Sequence, residues 1–408
     1  MRILYVCHRF PYPPRRGGTI RPFNMIKHLH QSGHEVVVCS LSRSDRETQD
    51  AQGIAPFCTE FHIGQVDNRV QILRMIATLP TPLTASASFF HSGKLARDIK
   101  RLLAEQKFDL IFVHCSSVAH YVADVRGIPK ILDFGDMDSQ KWFEYAQHKS
   151  FPLALGYWWE GSRLRAEEKR LARNFDLCTA ITRAERQTMT DYGITTPTDW
   201  FPNGVDNGFF APITEVAYDP DTIVFIGRMD YYPNQQCMVD FCAEVLPRLQ
   251  SRRPAIKLQI VGADPSPEIR KLGELPGVTV TGTVPDVRPY VTQAALTVAP
   301  LRIARGTQNK ILEAMARGLP VVGSSVAAGG GDAVPGEHIV TADAPEDMCN
   351  AILRILDDPA GRARLAQAGR ARVLSNHAWP SSMKRLDAII ERCISEFETA
   401  SNPYPQSS

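Results

Sequence analysis

The sequence predicts an α/β protein made of two Rossmann-like domains in series, each a doubly wound parallel sheet. Three observations carry this. Short apolar runs alternate with helical patterns from end to end, as buried parallel strands joined by crossover helices require. The alternation occurs twice, on either side of Pro202–Asn203–Gly204–Val205–Asp206, where turn formers interrupt the apolar pattern. A chain of 408 residues also exceeds one ordinary core and suits two domains of about 200 residues.

In the first half, apolar runs predict strands over 2–7, 35–40, 57–63, 109–113, 129–133, 176–181 and 198–201. Helical patterns lie between them at 19–32, 93–106, 139–148 and 160–174. In the second half, strands are expected at 222–226, 257–261, 278–281, 296–299 and 320–323, with helices at 234–250, 286–294, 308–317 and 345–357. The domains then span 1–202 and 203–379. The Arg/Ala-rich and then amphipathic stretch 361–398 reads as helices, and 399–408 as a disordered tail.

Composition narrows the function. A net charge of +2 offers no global attraction for nucleic acid. The nine cysteines are scattered, form no CxxC pair and sit mostly in apolar runs, so they read as buried reduced thiols rather than metal ligands. Met1 leads straight into Arg2–Ile3–Leu4–Tyr5–Val6–Cys7, which reads as a buried strand and not a signal peptide. No apolar run reaches the roughly 18–20 residues of a membrane span. A cytoplasmic protein is expected, with peripheral contact at the inner face of a membrane.

The residues suited to chemistry fall at strand ends. Gly17 and Gly18, after Arg15 and Arg16, stand where the first strand gives way to a helix. Glycine there frees the backbone for positive φ and lets a phosphate approach main-chain N–H groups. Gly227–Arg228 closes the first strand of the second half, placing a guanidinium at the sheet edge where open α/β sheets bind ligands. Further on, Gly306 opens a helix containing Asn309, Lys310 and Glu313. Lys310 and Glu313 are three apart and share a face, suited to a pyrophosphate and a ribose diol respectively, or simply to an ion pair with each other. His114, Asp133 and Asp136 end two strands of the first half. A histidine there can donate to a sugar hydroxyl, while Asp136 can equally cap the helix that starts near Ser139.

Taken in order, these motifs resemble the large retaining GT-B glycosyltransferase family of group 1 / family 4 type, and most closely its exosortase-associated exopolysaccharide sugar transferases. The landmarks are Gly17–Gly18, Pro202–Asn203–Gly204–Val205–Asp206, Gly227–Arg228, Gly282–Thr283–Val284–Pro285–Asp286 and Glu313–Ala314–Met315–Ala316–Arg317–Gly318–Leu319–Pro320. The resemblance runs from residue 1 to about 390. It implies two Rossmann-like domains facing across a cleft, the C-terminal one holding a nucleotide diphosphate sugar, with a helix at about 380–395 packing back on the first domain. It implies that Glu313 holds the ribose hydroxyls, Arg228 the pyrophosphate and His114 the donor sugar. Gly17 and Gly18 would approach the phosphates, and Val284, Asn309 and Lys310 would line the donor site. His114 and Asp136 are the expected catalytic pair. Neither a metal nor a cofactor is expected, and UDP is the expected nucleotide.

Two positions depart from the family. Where relatives carry a glutamate eight residues before Glu313 this chain has Arg305, and where they carry a lysine six residues after Arg228 it has Asn234. Lys310, with Arg305, is expected to supply the missing positive charge. The aromatic stretch Phe151–Trp159 and the basic residues Arg163, Arg165, Lys169, Arg170 and Arg173 suit an anionic membrane and a glycan or polyprenyl-linked acceptor. They also fit a core anchor followed by a solvated helix with Glu167 and Glu168 as counter-charges. A nucleotide-sugar epimerase, a glycan phosphorylase and a non-catalytic scaffold are the alternatives to a transferase.

Overall fold

The structure is a computed structural model that describes residues 1–14, 17–78, 84–212, 217–304, 306–330 and 332–401. Arg15, Arg16, Arg305 and the tail residues 402–408 lie outside the described residues. The chain forms two compact units, Met1–Pro202 together with the chain from Met383 onward, and Asn203–Ser382.

The first unit holds seven strands: β1 (Arg2–Cys7), β2 (Glu35–Ser42), β3 (Glu60–Gln65), β4 (Leu110–His114), β5 (Lys130–Gly135), β6 (Leu177–Ala180) and β7 (Thr198–Trp200). They pair in the order β3-β2-β1-β4-β5-β6-β7, all parallel. Beyond Arg2 the central strands are buried, which is why Ile3–Cys7, Leu110–Val113 and Ile131–Leu132 read as apolar runs. Tyr5 of β1 stacks on Phe112 of β4 at 5.3 Å between ring centres, locking the middle of the sheet.

The second unit repeats the plan with β8 (Asp219–Ile226), β9 (Lys257–Val261), β10 (Val278–Gly282), β11 (Ala294–Ala299), β12 (Val321–Gly323) and β13 (Val340–Thr341). The order is β10-β9-β8-β11-β12-β13, again parallel. In each sheet the winding reverses beside the first strand, between β1 and β4 and between β8 and β11. A crevice opens at such a switch point, at the carboxyl ends of the strands.

Six helices matter below: α1 (Gly17–Gln31), α2 (Asp138–Gln147), α3 (Leu153–Ala172), α4 (Tyr232–Asp240), α5 (Asn309–Ala316) and α6 (Trp379–Ser401). The last crosses from the second unit back to the first. There Asp387 bonds His28 at 2.8 Å, Arg392 pairs with Asp199 at 2.8 Å, and the Arg385 guanidinium lies 4.0 Å from the Trp200 ring centre.

Several expectations need correction. Residues 399–401 belong to α6 and are not tail. The strand expected at 57–63 is displaced to Glu60–Gln65, because Ala51–Phe57 winds into a 3-10 helix. The helix expected at 234–250 is interrupted by a π turn at Phe241–Val245. α3 begins at Leu153 and takes in the aromatic stretch, whose Phe151, Leu153, Leu155, Trp158 and Trp159 are exposed and anchor no core. Gly18 lies within α1 without a left-handed φ, so its contribution is space alone. A Cβ there would meet nothing nearer than Arg9 Cδ at 3.7 Å. All nine cysteines are buried and unpaired.

One glycine is indispensable to the second unit. Gly262 follows β9 with φ 155°, and a Cβ there would stand 1.7 Å from the carbonyl oxygen of Gly227. The backbone itself would have to move. Gly262→Ala is expected to lower stability by on the order of 1–3 kcal/mol; an unchanged melting temperature in thermal unfolding would show that this contact is not a constraint.

Candidate active site

The switch point of the first unit collects His8 just beyond β1 and His114 at the end of β4, their rings 5.9 Å apart. Beneath them lies Asp133 of β5, fully buried. Its Oδ2 accepts from Arg21 Nε at 2.9 Å and bonds His114 Nδ1 at 2.8 Å. Its Oδ1 accepts from Arg21 Nη2 at 3.0 Å and from the Thr179 hydroxyl at 2.9 Å. Burial opposes the charge on Asp133, but the Arg21 guanidinium and the His114 hydrogen bond outweigh it and hold the carboxyl well below the usual carboxylate range. A carboxylate at Nδ1 favours the tautomer protonated there and leaves Nε2 of His114 to a ligand.

Arg21 was not singled out from sequence. It sits one turn into α1, buried, with its other contacts to the Phe201 carbonyl at 3.0 Å and the Phe201 ring at 3.7 Å. An arginine flanked by Ile20, Pro22 and Phe23 was the available signal. Asp136 lies on the same edge but does not cap α2; the helix starts at Asp138, with Met137 at the cap position and no side-chain cap bond. Burial pushes the Asp138 carboxyl up, while Lys141 works against it.

In the second unit the corresponding edge gathers Arg228, Asn234, Lys310 and Glu313. Arg228 is gripped by two carboxylates, Asp230 at 2.6 Å and Asp264 at 2.6 Å. Lys310 Nζ donates to Asn234 Oδ1 at 2.5 Å, and Asn234 Nδ2 donates to the Arg228 carbonyl at 2.9 Å. Asn234 therefore joins the loop carrying Arg228 to the helix carrying Lys310. The ammonium also lies 4.7 Å from the Phe225 ring centre. Among the described residues no ion pair joins Lys310 to Glu313, so the simple i,i+3 bridge is not what this spacing makes.

Burial pulls Lys310 down to about 8, with Cys237 and Glu313 resisting, and pushes Glu313 up to about 7, with Lys310 resisting. Both residues nonetheless keep part of their surface accessible, so displaced ionisation and access coincide at this edge. Asn309 begins α5 and its Oδ1 accepts from Asn203 Nδ2 at 3.4 Å. Val284 lies beyond β10, partly buried against the second core. Beside it an open pocket of about 770 Å³ is lined by Asp264, Arg270, Glu274, Thr281, Gly282 and Thr283. Among the described residues no three His, Cys, Asp or Glu side chains cluster as a metal site.

Residues 16–209 match the Glycosyltransferase Family 4 model, and residues 220–358 match the model described as Glycosyl transferases group 1. A GDP-mannose-dependent monoacylated alpha-(1-6)-phosphatidylinositol monomannoside mannosyltransferase of Corynebacterium glutamicum is 24% identical over 56% of this chain and 65% of its own. A phosphatidyl-myo-inositol mannosyltransferase of Mycolicibacterium smegmatis is 32% identical over 42% of this chain and 46% of its own. This chain thus spans less than two thirds of either relative.

Among solved structures, sucrose-phosphate synthase from Thermosynechococcus elongatus superposes with a TM-score of 0.72 at 16% identity, over 97% of this chain and 100% of that one. Anabaena HepE in complex with UDP does so with a TM-score of 0.67 at 14% identity, over 96% and 100%. The fold is GT-B. The chain carries glycosyltransferase family 4 and group 1 domains, one in each half.

The Asp133 cluster makes a pH prediction. A carboxyl whose folded-state value is depressed adds stability above its unfolded value of about 3.9, and this is lost as pH falls toward the folded value. Urea unfolding should therefore weaken more steeply below pH 4 in the wild type than in Asp133→Asn. At pH 7 that variant should lose about 3–5 kcal/mol, because Arg21 stays buried with its charge uncompensated. Parallel pH profiles for the two proteins would contradict this account.

Proposed function

We propose that the protein moves a hexose from a nucleoside diphosphate donor to a glycan or polyprenyl-linked acceptor, with retention and without a metal, in exopolysaccharide or other cell-surface polysaccharide synthesis. The observation that carries the reading is the Arg228–Asn234–Lys310–Glu313 cluster at the switch point of the second sheet. Two cations there suit a pyrophosphate. Glu313, once ionised, accepts two hydrogen bonds from a ribose diol, and the open pocket beside Val284 has room for the base.

Arg228 and Lys310 offset the charge that builds as the nucleoside diphosphate leaves, an interaction that strengthens toward the transition state. Arg228 must first exchange Asp230 or Asp264 for phosphate oxygens. Asn234 answers the departure from the family pattern: it carries no charge itself but holds the Lys310 ammonium where a phosphate partner is needed. Gly17 and Gly18 leave the start of α1 open to an approaching phosphate. His114, oriented by Asp133, offers Nε2 to the donor sugar, and Asp136 stands at the same edge for the acceptor. Displacement on one face of the sugar, assisted by the departing diphosphate, accounts for retention without a carboxylate nucleophile.

UDP is the favoured nucleotide; the HepE structure holds UDP, while one mannosyltransferase relative is GDP-mannose-dependent. Peripheral contact with a membrane through residues 151–173 fits the exposed Phe151, Leu153, Leu155, Trp158 and Trp159. No helix among the described residues is long and apolar enough to cross a membrane.

Thermal-shift measurements with UDP, GDP and ADP test the donor site. At a hundred times its dissociation constant the right nucleotide should stabilise the protein by about 2.7 kcal/mol, and Glu313→Ala should abolish the shift. No shift with any of the three would remove the basis for this reading.

The Lys310 ammonium gives the binding a pH limit. The lysine is charged below about 8 and neutral above it, so nucleotide affinity should fall as pH rises through 8. Lys310→Met should flatten that profile and lose about tenfold or more in affinity at pH 7. Loss of nucleotide binding in Asn234→Ala with full retention in Lys310→Ala would show that the charge is not supplied by Lys310.

A further inference from the structure

Helices α2 and α3 lie antiparallel against one another. Trp142 of α2 stacks on Tyr157 of α3 at 5.5 Å, while Ser139, one turn earlier on α2, bonds Glu168 toward the far end of α3. The N-terminal end of α2 is also the end that meets the sheet edge of the first unit. Its Asp138 carboxyl lies 3.7 Å from the Cys115 thiol, the residue immediately after His114.

An open groove of about 680 Å³ runs between the two helices, lined by Gln140, Phe143, Ala146, Leu155, Trp158 and Arg165, among others. Ten residues of α2 rise about 15 Å, which sets the groove's length.

The groove has two unlike ends. Next to the sheet edge are Gln140 and Arg165, whose guanidinium stands over the rings of Phe143 and Tyr192 at 5.5 and 5.7 Å. Glu168 lies beneath this end, fully buried and bonded to Ser139. Burial pushes its carboxyl up to about 8, so it is mostly neutral at pH 7 and does not cancel the charge of Arg165. The acidic residues on the other face of α3 are already occupied. Glu160 accepts from the Ala85 N–H at 2.7 Å, and Glu167 accepts from the Thr84 hydroxyl.

At the far end the lining is Ala146, Ala154, Leu155 and Trp158, with Gln147 the one uncharged polar side chain among them. It opens beside Phe151 and Leu153, which are 80% and 61% exposed, values that leave these large apolar side chains with little protein to cover them.

We propose that this groove is the seat of a single-chain anionic lipid, the polyprenyl phosphate part of a lipid-linked acceptor, with its phosphate at Arg165 and its chain running outward past Leu155 and Trp158 into the bilayer. A cation at one end and a mostly apolar, uncharged lining at the other match an amphiphile in polarity. One groove between two helices receives one chain, which distinguishes a polyprenyl lipid from a two-chain phospholipid. The phosphate end is the end nearest His114 and Asp136, so the group to be glycosylated is delivered to the candidate catalytic edge. The inference rests on the transferase reading above and names the acceptor for it.

The test uses the full chain and three kinds of vesicle: phosphatidylcholine alone, phosphatidylcholine with a small fraction of undecaprenyl phosphate, and phosphatidylcholine with phosphatidylglycerol at matched charge. Cosedimentation should show the polyprenyl phosphate vesicles bound about tenfold more tightly than the phosphatidylglycerol vesicles. A Leu155→Glu/Trp158→Glu double variant should fall to the level of phosphatidylcholine alone. Both side chains are exposed, so its melting temperature should match the wild type. Arg165→Gln should keep binding to vesicles but lose the preference for polyprenyl phosphate.

Equal binding to both anionic vesicles would overturn the groove in favour of a general charged surface. Binding to neither, or a double variant that behaves like the wild type, would overturn it outright. The nucleotide thermal shift is read on the same samples. If the shift is present and the preference absent, the groove inference fails by itself; if no nucleotide shifts the protein, the transferase reading fails with it.

Discussion

A single buried carboxylate organises the candidate catalytic edge of the first unit. Asp133 has no contact with solvent, yet it stays ionised because Arg21, His114 and Thr179 together supply four hydrogen bonds to its two oxygens. Removing two charges from water is costly, and such a pair persists only when its geometry satisfies nearly every lone pair. Here that arrangement ties α1, β4, β5 and β6 together at one point. It also sets the proton and the orientation of His114 at the end of β4. The guanidinium that neutralises Asp133 also touches Phe201, at the last turn before the second unit begins. The stability of the edge and the orientation of His114 are thus two results of one electrostatic constraint.

The second unit solves its charge problem differently. Among the described residues neither Lys310 nor Glu313 is in an ion pair, and both are pulled toward neutrality by burial. Asn234 supplies dipoles in place of a charge, one to the ammonium and one to the loop of Arg228. Such an arrangement holds a binding surface in shape while leaving its electrostatic demand unmet.

Much of this was legible in the sequence because buried parallel strands leave a simple trace. β1, β4, β5, β8, β9 and β11 each carry an apolar stretch, and the residues at their carboxyl ends are, by the rule of the switch point, the ones at the crevice. His114, Asp133 and Arg228 could be named on that ground. β13 could not, since two residues show no period. The bonds from Arg21 to Asp133 and from Asn234 to Lys310 were also out of reach. They join residues far apart in the chain, and each residue alone looks ordinary. The Phe151–Trp159 stretch shows the limit of hydropathy most clearly. Apolar content reports what a side chain prefers, not whether the fold has room to bury it.

The return of the chain to the first unit at Met383 has a consequence for how the molecule is made. Its first 202 residues leave the ribosome long before the helix that supplies Arg385, Asp387 and Arg392. At about 5–20 residues per second, the interval is on the order of 10–40 s. During it the nascent amino-terminal half waits with His28, Asp199 and Trp200 uncovered, while the whole second unit is synthesised and folds. Completion of the first unit therefore waits on synthesis of the whole second unit, and a chain cut short before α6 has every strand of both sheets but lacks the partners of His28, Asp199 and Trp200.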